Sequence, residues 1–153
     1  MGKNVSKKWT VSDGCVLLVL FGIVALVLTP DVTQAFEEKK LSDLVDRLYQ
    51  TRAQIMLYKA HHDGLLPGQK FRGDSVTADE FIAALQQAHP GGSDYYLKAI
   101  FKNPYVADPA GRDTVTCVND ADAKPTGNEQ TAWWFNVATG DFFACDSEFH
   151  TNY

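Results

Sequence analysis

Hydrophobic and polar positions change period along the chain, and each change marks an element. Residues 15–28, CVLLVLFGIVALVL, are an unbroken apolar run preceded by Lys3, Lys7 and Lys8 and followed by Thr29-Pro30. The 17 uncharged residues from Gly14 to Pro30 would rise about 25 Å as a helix, the short end of what crosses a bilayer. Beyond Pro30 the pattern becomes amphipathic. Leu41, Leu44, Val45, Leu48, Ile55 and Met56 recur at helical spacing, flanked by Ala53 and Tyr58. Asp43, Asp46, Arg47, Gln50 and Arg52 take the other side. Glu37 and Glu38 open this stretch and Lys59, His61 and His62 close it, the order that the helix dipole favours. Gly64 offers a left-handed stop and Pro67 forbids continuation. The pattern predicts a helix over 37–62 with Leu44, Leu48 and Ile55 as packing residues, joined through Pro30 to the apolar rod.

Residues 64–76 are a Gly/Pro-punctuated loop. Thr77-Ala78-Asp79-Glu80 has the form of a capping box, and Phe81, Ile82, Leu85 and Ala88 follow at helical spacing. The expectation is a short helix over 78–88, stopped by His89-Pro90-Gly91-Gly92. Residues 95–100 read as a strand or a tight packing segment, and Lys102–Tyr105 as a turn. The last third is β-like over 114–146. Residues 114–118 are β-branched, and 132–135 and 141–145 flank Asn136–Gly140 as a hairpin with glycine where a positive φ is needed. Alternation sends Trp133 and Phe135 to one face and Trp134 to the other, partly wet face. Residues 119–131 are a polar loop. The predicted class is α+β: a transmembrane helix continuing into a long amphipathic helix packed on a small antiparallel C-terminal sheet.

Charge sharpens this picture. The chain carries a net −5, with residues 1–30 at +2 and the remainder at −7. An acidic domain excludes nucleic acid as the partner, which requires basic surface to neutralise phosphates. The lysines in front of the apolar run would stay in the cytoplasm and send the rest outward. Residues 1–14 are then a basic cytoplasmic leader, 15–30 an anchor in a bacterial inner membrane, and 31–153 one small periplasmic domain. Two alternatives stand beside the anchor: a buried core helix, or a secretory signal cut after Thr33-Gln34-Ala35, which would release an exported binding domain.

Candidate chemistry is sparse. Cys117 and Cys145 are the natural disulfide pair of an exported domain, the alternative being two buried free thiols. His61-His62-Asp63 suggests a metal cluster, but adjacent helical residues point about 100° apart, and a solvated helix end is the simpler reading. Asp108, Asp113, Asn119, Asp120 and Asp122 supply oxygen ligands in loops, which is what calcium requires, against the alternative of solvated loops. Trp134, Phe142, Phe143, Tyr95 and Tyr96 are core residues or subunit contacts. No catalytic constellation and no cofactor motif stands out.

In this order, the pieces resemble the pseudopilins, in particular the major pseudopilin of type II secretion systems. The resemblance rests on Arg52–Lys59 (RAQIMLYK) with His62-Asp63-Gly64 and Leu66-Pro67-Gly68, on Tyr96-Leu97 with Asn103-Pro104-Tyr105, and on Trp133–Asp141 with its Phe135-Asn136 and Thr139-Gly140. It covers most of residues 16–150. It implies a pilin-like fold, no catalysis, other pilin-like subunits as partners through the apolar helix, and calcium in a C-terminal loop, although this loop does not match the family's residue by residue. Prepilins carry Gly followed by Phe or Met at the processing site, and a glutamate five residues into the mature chain. Here Cys15 follows Gly14 and Val19 stands fifth. Gly14-Cys15 is the corresponding processing position, and the missing carboxylate implies either an anchored relative that keeps its leader or a subunit that joins a filament only beside a different subunit that supplies the acid.

Overall fold

A computed structural model describes residues 32–153 in full and, of the residues before them, only the helical backbone from Val11. The leader 1–14, the apolar stretch 15–30 and the Gly14-Cys15 pair lie outside the fully described residues. Among the described residues no helix is long and apolar enough to cross a membrane. The chain divides between Lys39 and Lys40 into two units. In the first, Val32 and Phe36 are exposed.

The second unit, Lys40–Tyr153, is α+β and holds the core. Helix α1, Val11–His61, contributes Leu44, Leu48, Ile55 and Tyr58, each under 7% exposed. Their steps of four, seven and three keep one stripe facing inward. Thr51 fills the gap in that stripe at 2% exposure, its hydroxyl donating to the Arg47 carbonyl at 2.8 Å. Met56, expected in the stripe, is instead 72% exposed, because the step from Ile55 carries it about 100° round the helix. The helix ends where the Gly64 amide reaches back to the Lys59 carbonyl (2.9 Å) with Asp63 at φ 52° and Gly64 at φ 83°. This Schellman-type closure starts one residue before the glycine that the sequence marked.

Helix α2, Ala78–Leu85, opens on the expected Thr77–Glu80 capping box and buries Phe81, Ala84 and Leu85. It stops three residues earlier than predicted, because Ala88 leaves the helix to form an isolated bridge with Tyr95. That bridge is all the β-pairing made by residues 95–100; Tyr96, Leu97 and Ile100 pack into the core without a strand.

The sheet has three strands in the order β1 (Val115–Val118), β2 (Trp133–Asn136), β3 (Phe142–Ala144). The β2–β3 hairpin is antiparallel as expected, with Trp134 opposite Phe143 and Gly140 at φ 88°. The expectation of an antiparallel sheet throughout is corrected at β1, which runs parallel to β2 with Val115 opposite Trp133. A parallel neighbour needs a crossover of a dozen residues or more, and residues 119–132 supply it. The face expected to be partly wet is closed as well: Trp134 is 5% exposed, like Trp133 and Phe135 on the other side. Phe81 joins α2 to the sheet, its ring 4.3 Å from that of Phe135.

Candidate functional site

The candidate calcium ligands do not converge. Asp108 accepts from the Ala110 amide at 3.1 Å, and Asp120 from the Asp122 amide at 3.0 Å, each closing its own turn. Asn119 reaches Ser75 instead (3.4 Å), and Asp113 lies beside α2 in a hollow that it shares with Asp79 and Ile82. Among the described residues no three His, Cys, Asp or Glu side chains form a group that could hold a metal ion. The same holds for His61-His62-Asp63: His62 stacks on Tyr58 (3.9 Å between ring centres), while His61 bonds through Nδ1 to the Tyr96 hydroxyl (2.9 Å).

The expected Cys117–Cys145 disulfide is corrected: both cysteines are free thiols. Cys117 lies opposite Phe135, and Phe135 opposite Phe142. β2 therefore separates the two cysteines by two strand spacings, about 9.6 Å, beyond the roughly 7 Å that a disulfide spans between Cα atoms. Cys145 is buried and its thiol donates to the Thr126 carbonyl. Burial pushes the Cys117 thiol up to about 12.

Two groupings have no forerunner in the sequence reading. His89 lies against Tyr96 (4.4 Å) and edge-on to His61 (5.7 Å), and its Nε2 is buried without a hydrogen-bond partner. The loop 86–95 that brings His89 there carries no periodic signal. The second grouping, built on Asn103, Asp146 and His150, is buried and bonded within itself. Asp146 accepts from Asn103 Nδ2 (2.7 Å) and pairs with His150 Nδ1 (2.5 Å), and Tyr105 covers the His150 ring at 4.1 Å. Asn103 also donates to the Ala132 carbonyl and accepts from the Tyr105 amide. The arrangement ties the C-terminus to the sheet. Its only trace in the sequence is Asn103-Pro104-Tyr105, read there as a turn.

The aromatic candidates divide between core and surface. Phe142 and Tyr96 are core residues, and Trp134 is buried outside the main cluster. Tyr95 is 51% exposed and Tyr49 and Met56 on α1 more so. Between α1 and the segment Tyr95–Lys102 runs an open groove of about 730 Å³, carrying Arg47, Gln50 and Gln54 on its helical wall and Lys98 and Lys102 on the other. No family model, curated protein or solved structure matches this chain.

Proposed function

We propose that the protein is a non-catalytic, pseudopilin-like structural subunit of a type II secretion or type IV pilus-like assembly. In this reading it is held in the bacterial inner membrane by residues 15–30, with the leader 1–14 in the cytoplasm and the domain in the periplasm. The observation that carries the reading is the order of parts. An uncharged stretch behind three lysines precedes, on the same chain, a helix whose buried stripe of Leu44, Leu48 and Ile55 organises a small α+β domain. Tyr49 and Met56, standing exposed on α1, fit a subunit that works through contacts.

The test is membrane fractionation of the native chain with intact-mass measurement. The proposal expects alkali-resistant membrane association and a mass that includes residues 1–30. The second reading, an exported binding domain, has one observation in its favour: the compact unit begins at Lys40, so a cut after Ala35 would leave it whole. A soluble product starting at Phe36 would establish that reading instead.

A further inference from the structure

The groove between α1 and Tyr95–Lys102 is lined by cations without an ion-pair partner among the described residues. Arg47, Lys98 and Lys102 make no ion pair among the described residues, and no carboxylate lines the groove. Part of the main chain of its outer wall is unpaired among the described residues as well, although the Phe101 carbonyl accepts from Trp133 Nε1. The amides of Tyr96 and Leu97 are taken by the end of α2, through the carbonyls of Gln87 and Leu85, and the Asn103 amide is taken by Arg112. Between them the amides of Lys98, Ala99, Ile100, Phe101 and Lys102 make no hydrogen bond among the described residues. On the opposite wall the Gln54 side-chain oxygen is buried without a partner. Buried polar groups are nearly always bonded, so the orphan Gln54 acceptor beside the unpaired Arg47, Lys98 and Lys102 marks a surface that a partner would complete. That partner is an irregular polypeptide segment that offers carboxylates and carbonyls to the outer wall and an N–H to Gln54.

The chain itself supplies such a segment. Lys40–Tyr153 carries all of the net −5, and the crossover loop 119–132 exposes Asp120, Asp122 and Glu129 around a single cation, Lys124. Resting on the assembly reading proposed above, we infer that the groove is the docking site for the acidic loop 119–132 of a second copy of this chain. Groove and loop are different surfaces, so the contact is head-to-tail. Each copy then receives one neighbour and offers its loop to the next, the arrangement that gives a ring or an open filament instead of a closed pair.

The experiment is zero-length carbodiimide coupling of the full chain in membranes, with isotope-labelled and unlabelled copies co-expressed so that links between copies are recognised by mass. Links from Lys98 or Lys102 of one copy to Asp120, Asp122 or Glu129 of another are expected. Lys98→Glu with Lys102→Glu should lower the yield of dimers coupled through other lysines by about tenfold or more, the scale of reversing charges at an interface. So should Asp120→Lys with Asp122→Lys. Co-expression of the two variants should restore the yield, because the reversed groove then meets the reversed loop. This rescue separates a lost contact from a lost fold. Links between copies confined to other residues, or groove lysines coupled to a different protein, overturn the inference and leave the assembly reading standing. No link between copies of any kind, with the chain monomeric in the membrane, overturns both.

Discussion

Leu48 shows how much one position carries. It is 1% exposed in the centre of the α1 stripe, and Leu48→Ala should cost about 2–5 kcal/mol, a transfer loss plus the cavity left behind; chemical denaturation of the domain checks this. Met56→Ala, about two turns further on but exposed, should change stability by less than about 0.5 kcal/mol. Asn103 is the polar counterpart of Leu48. Asn103→Ala leaves Asp146 and the Ala132 carbonyl without its amide and should cost about 3 kcal/mol, since each buried partner left unpaired loses its compensation for lost water. Cys117 makes a pH-dependent prediction. The folded thiol keeps its proton up to about 12, against an ordinary 9.0. Its contribution is full below the unfolded value and is lost as pH rises from there toward the folded one. Stability measured by urea titration between pH 9 and 11 should therefore fall less steeply in Cys117→Val than in the parent chain. The stripe was legible in the sequence because Leu44, Leu48 and Ile55 repeat at helical spacing. Thr51 and Asn103 were not, because a polar residue is buried only where distant partners satisfy it, and sequence spacing does not reveal those partners.

At the scale of elements, local chemistry foretold the features it controls. The Thr77–Glu80 box and the Gly140 turn depend on residues within a few positions of one another, and both form as read. Strand direction depends on what lies far away. The β-branched run at 115–118 gives no hint that it pairs parallel to Trp133–Asn136. The disulfide expectation failed for the same reason, since the spacing of Cys117 and Cys145 says nothing of the strand between them. The crossover also fixes its own glycine. A Cβ on Gly127 would lie 2.1 Å from the Ser147 carbonyl carbon and 2.2 Å from the Glu148 nitrogen, both main-chain atoms. Gly127→Ala should thus lift the loop from residues 147–148, lowering Tm and making 119–132 sensitive to protease. Gly140→Ala should destabilise by about 1–2 kcal/mol, because it forces a side chain into left-handed backbone with Leu66 Cδ2 3.0 Å away.

For the whole molecule, the division between Lys39 and Lys40 separates two kinds of work. The second unit holds the core and all of the net charge; the residues before it hold the long apolar run behind its lysines. In the proposed function that run is an anchor, and the absence of a glutamate among residues 15–28 decides how it is used. A free amine produced by cutting after Gly14 would be drawn toward lipid with no carboxylate from a like subunit to meet it, at a cost of a few kcal/mol for a charge deep in the bilayer. An uncut chain keeps Lys3, Lys7 and Lys8 at the cytoplasmic face and avoids that cost. The most direct measurement is therefore the intact mass of the membrane-bound protein, expressed with and without a prepilin peptidase. The account predicts the same mass in both cases, with residues 1–30 attached and the protein resistant to alkaline extraction. A soluble chain beginning at Phe36 would contradict it.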